Sequence, residues 1–284
     1  MFNRNHLIIF FVFLAVFDLF IWSLVVFGGP NKNAEIYFFD IGQGDSEMVI
    51  LPGNVKVLID GGPDKKILSE LADVLSPTDR YIDLIVLSHP QMDHFAGLID
   101  VLKRYEVGAF IYNGREGEAK AFKDLKEVLK ENSALKIVLA QGDKIKYQEN
   151  IFDVLSPAKE FLASKELNDT TLVLKLNIGN FRALFTVDIG ENIEKYLVKN
   201  FDIETDVLKV GHHGSKFSSS AEFLSGAKSK ISVIEVGKNS YGHPTAQTLM
   251  RLANIGSQIF RTDLDGAVKL VINSSSINIF KKKE

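Results

Sequence analysis

Five of the six histidines in this 284-residue sequence fall into three short clusters, each close behind a β-type run. Leu84-Ile85-Val86-Leu87 leads straight into Ser88-His89-Pro90-Gln91-Met92-Asp93-His94. The run 206–210 leads into Gly211-His212-His213-Gly214-Ser215, and the run 231–236 precedes Ser240-Tyr241-Gly242-His243-Pro244. Asp188 closes a fourth run, Leu184-Phe185-Thr186-Val187. Imidazole and carboxylate together suit zinc, manganese or iron. A strand end suits such donors, because a loop there can wrap a cation while the strand and a following helix hold it rigid. The sequence has no cysteine, which removes disulfides and thiolate-bound zinc, so any metal must be held by His, Asp, Glu or other oxygen donors. Taken singly, His243 also reads as a hydrogen-bonded turn residue and Asp188 as a helix N-cap. Taken together, several strand ends that display donors along one sheet edge describe a metal-centred site. Adjacent residues on an extended strand face opposite ways, so only one of His212 and His213 is expected to point inward.

The elements that must position these residues alternate between period 2 and period 3.6. Strand-like runs at 35–40, 46–51 and 56–59, the last two joined across Pro52-Gly53-Asn54, precede helical spacing over 67–75. A short buried strand at 83–87 and helices over 97–105 and 122–129 complete the first half. The second half repeats the grammar. Strands at 171–178 and 182–187 flank Gly179-Asn180, a helix covers 193–199, and a strand covers 206–210. A helix starts at 222–224, and a strand at 231–236 and a helix at 245–253 follow. Strands at 258–261, 267–272 and 276–280 close the chain. Two halves of mostly antiparallel strands with helices imply an α/β protein in which two sheets face each other between outer helices, a four-layer αββα sandwich.

The composition is that of a globular protein, 46% apolar and 24% charged. A formal net charge of −3 gives no whole-chain reason to expect nucleic-acid binding. The N-terminus differs. Residues 7–27 are almost continuously apolar, broken only by Asp18 and Ser23, and long enough for a bilayer span of roughly 17–25 residues. Gly28-Gly29-Pro30 and Asn31-Lys32-Asn33 end the run. It exceeds the apolar core of a usual signal peptide, roughly 7–15 residues, and no A-x-A-like site follows. The expectation is one N-terminal transmembrane helix within residues 1–33, with a soluble domain over 34–284 on the outer face of the cell membrane. Secretion after signal cleavage is the alternative. Asp18 within the span marks a partner helix or a break.

Ser88-His89-x-x-x-Asp93-His94, followed by Gly97, resembles the H-x-[HD]-x-D-H signature of the metallo-β-lactamase superfamily. Flanking blocks narrow the resemblance: Phe39-Asp40-Ile41-Gly42-Gln43-Gly44-Asp45, Leu58-Ile59-Asp60-Gly61-Gly62 and Asn168-Asp169-x-x-Leu172-Val173-Leu174. Phe185-Thr186-x-Asp188-Ile189, the block from Lys209 to Ser215, Tyr241-Gly242-His243-Pro244 and Arg261-Thr262-Asp263-x-x-Gly266 follow in order. They are similar to blocks of the extracellular metallo-β-lactamase-like domain of ComEC competence DNA-uptake proteins and their stand-alone relatives.

The resemblance implies two divalent cations, zinc or manganese, at the edge of the sandwich. One would be held by His89 and Asp169, with Gln91 nearby. The other would be held by Asp93, His94 and one of His212 and His213, and Asp188 would bridge the two. Two such ions generate a nucleophile from water and stabilise the attacking and leaving oxygens of a phosphodiester. His243 would protonate the leaving oxygen or bind phosphate. Asp60 reads either as the acceptor that fixes a ligand imidazole or as a turn carboxylate before Gly61-Gly62. Gly42-Gln43-Gly44-Asp45 reads as structural. Two residues depart from the family pattern. Gln91 stands where the family has Asp or His, which weakens one cation site, and Val187 stands where it has Gly. The polytopic channel and oligonucleotide-binding-type domain of full competence proteins are not among these residues, so transport is not implied.

The leading expectation is therefore a metal-dependent hydrolase, a phosphodiesterase or nuclease acting on single-stranded DNA outside the membrane. Hydrolysis of another phosphoester or envelope ester is one alternative. A DNA-binding module whose metal site has decayed, with Gln91 as the first sign, is the other.

Overall fold

A computed structural model describes residues 3–27 and 32–283. The apolar N-terminal run forms α1 (Arg4–Phe27), and its segment Arg4–Ser23 has a mean hydropathy of 2.3 with none of it buried. It is the one helix among the described residues that is long and apolar enough to cross a membrane. Residues 28–31, where the sequence reading ends the span, lie outside the described residues.

The first half builds β1 (Ala34–Phe38), β2 (Glu47–Leu51), β3 (Val55–Ile59), α2 (Lys66–Val74), β4 (Tyr81–Val86), α3 (Met92–Arg104), β5 (Glu106–Tyr112), α4 (Lys120–Asn132) and β6 (Leu135–Val138). The second builds β7 (Lys144–Tyr147), β8 (Asn150–Ser156), β9 (Val173–Ile178), β10 (Phe181–Phe185), α5 (Glu191–Asn200), β11 (Val207–Lys209), α6 (Ala221–Ala227), β12 (Ile231–Ile234), α7 (Ala246–Asn254) and β13 (Gln258–Arg261). A short α8 (Thr262–Asp265) then leads to β14 (Val268–Ile272) and β15 (Ile277–Lys281).

Two mixed sheets result, one in the order β15-β14-β1-β2-β3-β4-β5-β6 and the other β13-β12-β11-β10-β9-β8-β7. Alternation along the strands assigns side chains to layers. Ile36, Phe38, Val57, Ile59 and Val86 of the first sheet meet Phe152, Leu174, Leu176, Phe185, Val207 and Val233 of the second in a central core. The opposite face of the first sheet, with Phe39, Leu58 and Ile85, packs on Leu71, Phe95, Leu98 and Leu125 of α2 to α4. That of the second, with Val173, Leu184 and Leu208, packs on Ile193, Leu197, Phe223 and Leu252 of α5 to α7. These three apolar layers are the expected four-layer αββα sandwich.

Several details differ from the sequence reading. Parallel pairing is nearly as frequent as antiparallel: β3 to β6 and β10 to β13 run parallel. Each of those steps is made through an intervening helix, the crossover that a parallel pair requires. The closing hairpin joins the first sheet, because β14 pairs with β1. Strands β5 to β8 were not anticipated, and β6 and β7 are short and largely exposed, which leaves little periodic signal. Helix α3 starts at Met92 rather than near Gly97, so Asp93 and His94 sit on its first turn.

Candidate metal centre

The carboxyl ends of β3, β4, β10, β11 and β12 converge on one edge of the sandwich, the end where open α/β sheets present their ligand sites. Beyond β3 lies Asp60, and beyond β4 lie Ser88 and His89. Asp188 follows β10, and Gly211–Gly214 after β11 forms a 3-10 turn. Four non-glycine residues here have left-handed backbone: Asp60 at φ 54°, Val187 at 49°, His212 at 50° and His213 at 53°. For a β-branched residue such as Val187 this is costly, and it falls where the family pattern has glycine. Close backbone approach aligns α3 with the strand ends. A Cβ on Gly97 would overlap the Gly61 carbonyl oxygen, and one on Gly44 would overlap that of Asp93. The Gly61 N–H in turn donates to the His94 carbonyl at 2.7 Å.

Asp93, His94, Asp188 and His213 bring one donor atom each within 4.8 Å of one another. His94 Nε2 lies 3.4 Å from Asp188 Oδ2 and 3.8 Å from Asp93 Oδ2. His213 Nε2 lies 3.6 Å from Asp93 Oδ2 and 3.7 Å from Asp188 Oδ1. Four donors about 2.1 Å from a common tetrahedral centre stand roughly 3.4 Å apart, so a small inward shift of these side chains brings one atom of each onto a small divalent cation. The imidazole protons point the same way. His94 Nδ1 faces Asp60 Oδ2 at 2.8 Å, and His213 Nδ1 faces the Glu235 carbonyl at 2.9 Å. Ser88 gives its one hydroxyl proton to Asp60 at 2.5 Å, so it accepts from His89 Nδ1–H at 3.0 Å. Each ring is thus fixed from behind with Nε2 facing the site. The Nε2 atoms of His89, His94 and His213, and Asp188 Oδ1, are buried with no hydrogen-bond partner in the protein. Such buried orphans call for an ion or water.

The electrostatics are tightly coupled. Burial alone would lower His213 and His94, but Asp188 with Asp45 raises His213 to about 10, and Asp188 with Asp60 raises His94 well above its ordinary value. The same imidazoles overcome burial to hold Asp188 well below the usual carboxylate range. His89, pushed down by burial and by His94, falls to about 3 and stays neutral.

The other predicted residues spread around this group. His89 is fully buried with its ring 4.2 Å from that of His94. Gln91 donates its amide to Asn168 Oδ1 at 2.6 Å. The structure does not bring Asp169 into the donor group, because its oxygens accept from Ser164 at 2.7 Å and Asn192 at 2.6 Å. His212 and His213 lie on a left-handed turn rather than an extended strand, so both approach Asp188, from different sides. His213 is buried, whereas His212 is one-third exposed with Nε2 4.0 Å from Asp188 Oδ2. His243 is partly buried, stacks on Tyr241 and lies 5.8 Å from the His212 ring. Burial, then His212 and His213, hold it below the ordinary histidine range, so its ring is neutral near pH 7. A cleft of about 420 Å³ opens over the group, lined by Gln43, Pro63, Gln91, Met92, Asp93, Asp188, His212, His213, Tyr241 and His243.

Sequence reasoning missed the layer behind His213. Asp45, read as structural, lies with Oδ1 3.2 Å from His213 Nδ1, and its other oxygen pairs with the fully buried Lys209 ammonium. Glu47 and Glu235 complete a fully buried carboxyl cluster with Asp45. The available signal was a charged residue inside an apolar strand, as in Val207-Leu208-Lys209-Val210 and Ile231-Ser232-Val233-Ile234-Glu235-Val236.

Comparison with known proteins places this geometry. A profile of the Metallo-beta-lactamase superfamily matches residues 42–237. ComE operon protein 3 of Bacillus subtilis is 31% identical over 275 residues, covering 90% of this chain and 34% of that protein. Competence protein ComA of Neisseria gonorrhoeae is 26% identical over 271 residues, 90% of this chain and 36% of its own length. The chain thus spans about a third of the curated relatives it matches. Among solved structures, the metallo-β-lactamase fold protein YhfI of Bacillus subtilis superposes with a TM-score of 0.57 at 11% identity, over 84% of this chain and all of that one. A diphosphatase of the PhnP family gives 0.52 at 17% identity, over 84% of this chain and 98% of its own.

Proposed function

The chain belongs to the metallo-β-lactamase superfamily, and from that premise we propose that it is a metal-dependent phosphodiesterase acting on single-stranded DNA. The observation that carries this reading is the convergence of Asp93, His94, Asp188 and His213, with the buried Nε2 atoms of both imidazoles turned inward. Asp93, His94, His213 and Asp188 would hold one divalent cation, and His89 with Asp188 and Gln91 a second. A bound divalent cation acidifies water and neutralises charge on a phosphoryl oxygen. Asp60 and Ser88 keep the protons of His94 and His89 on Nδ1, so their Nε2 atoms remain donors of electron pairs. His243, neutral and at the cleft wall, is placed to accept a proton from incoming water or hydrogen-bond a phosphate oxygen.

DNA as substrate is supported by the competence-protein relatives, and zinc or manganese as metal by the mixed imidazole and carboxylate donors. We place the domain on the outer face of the cell membrane, tethered by α1. Cleavage of labelled single-stranded DNA and of bis-(p-nitrophenyl) phosphate, with zinc or manganese present and Asp93→Ala as control, tests the reading. Activity that disappears in the variant is expected. No activity on either substrate with either metal would sink it.

A further inference from the structure

We propose that Tyr241 is a stacking platform for a nucleobase adjoining the scissile phosphodiester, an assignment that rests on the phosphodiesterase reading and adds a substrate contact to it. Tyr241 is 73% exposed, an unusual position for a large ring, yet the loop that carries it is held firmly. Asn239 Oδ1 accepts from the Tyr241 N–H at 3.1 Å and the His243 N–H at 3.0 Å. Asn239 Nδ2 donates to the carbonyls of Gly237 at 2.9 Å and His243 at 2.8 Å. Gly237 seats the loop against the backbone of Gly42, where a Cβ would not fit. The ring is therefore presented to solvent by a loop fixed on both sides.

Its position gives the exposure a use. One face of Tyr241 stacks on His243 at 5.7 Å and 29° between planes. The series continues inward through His212 to Asp188, so the platform stands at the outer end of a path to the donor group. Tyr241 and Met92, which is 51% exposed, line the same cleft as Asp93 and Asp188. A single flat ring with an open face matches a planar base. It does not match a quaternary ammonium, which is gripped by a cage of several rings. Stacking of this kind tolerates every base, which suits single strands of any sequence. A duplex keeps its bases paired and inaccessible.

Binding of the full chain, with manganese, to a phosphorothioate single-stranded oligonucleotide carrying 2-aminopurine tests this. Stacking should quench the probe with the wild-type protein. Tyr241→Ala should abolish the quench and weaken binding about tenfold, from the usual magnitude of base–aromatic stacking. Tyr241→Phe should retain both. An abasic oligonucleotide of equal length should bind the wild-type and Tyr241→Ala proteins alike. Equal loss of abasic binding, unchanged binding of the base-bearing strand to Tyr241→Ala, or no quench with the wild type would each overturn the proposal. Failure of the wild type to cleave any phosphodiester while the quench persists would instead remove the catalytic reading and leave the platform standing.

Discussion

His94 Nδ1 meets Asp60 Oδ2 at 2.8 Å, and both side chains are completely buried. Asp60 also receives the backbone N–H of Ser88 at 2.8 Å and its hydroxyl, so one carboxylate sets the rings of His94 and, through Ser88, His89. Replacing Asp60 by Asn removes the charge that keeps the His94 proton on Nδ1 and leaves the fold's shape nearly unchanged. Metal affinity should fall about 10–100-fold, the usual cost of losing such a partner. Competition against a chromophoric chelator measures it, and an unchanged affinity would assign Asp60 to the turn alone.

The Lys209 ammonium is fully buried against Asp45, with the Asp188 carboxylate adding attraction. Lys209→Met keeps the volume but strands Asp45, and breaking a buried pair from one side costs about 3–5 kcal/mol. Urea denaturation should show that loss. Adding Asp45→Asn to Lys209→Met should recover part of it, since no isolated charge then remains. If the double variant is less stable than the single one, the pair is not what stabilises this layer.

Behind the same layer, burial and then Asp45 push Glu47 up to about 8, and burial and then Glu47 raise Glu235 well above its ordinary value. Between the unfolded value of 4.5 and about 8, the folded protein therefore holds a proton that the unfolded chain releases. This contribution to stability is full below pH 4.5 and is lost as pH rises through the folded value. Glu47→Gln fixes the neutral form. Its melting temperature should decline less than that of the wild type between pH 5 and pH 9, and parallel declines would contradict the raised Glu47 carboxyl.

The fold was legible because period-2 and period-3.6 runs such as Val57-Leu58-Ile59 and Leu98 to Leu102 each carry their own layer assignment. The donors were legible for a related reason. His89, His94 and His213 each follow an apolar strand, and strand ends collect at one edge once the strands are parallel. What lies behind them was not legible. Glu47 heads an apolar run while Lys209 and Glu235 each interrupt one, and only the packed sheets show that they face one another. Of the His212-His213 pair only His213 enters the donor group, as expected, although the chain turns left-handed there rather than running as a strand. Asp169 is turned toward Ser164 and Asn192, and its neighbour Asn168 is the residue that touches Gln91.

That loop bears on how many cations bind. Asp93, His94, Asp188 and His213 offer two carboxylates and two imidazoles. His89 has beside it only the neutral Gln91, whose amide nitrogen is engaged by Asn168, while Asp169 is turned toward Ser164 and Asn192. Elemental analysis after dialysis should therefore find about one tightly held equivalent, with a second appearing only at higher metal concentration. Gln91→Asp supplies the missing charge and should move the count toward two. Because His94 and His213 are raised, the cation must displace protons from them, so its affinity should climb as pH rises from 6 to 8. Stripping the metal with a chelator should lower the melting temperature by several degrees, since a ligand at about 100 times its Kd contributes roughly 2.7 kcal/mol. Two equally tight sites in the wild-type protein would show that Gln91, despite its neutrality, completes the second position.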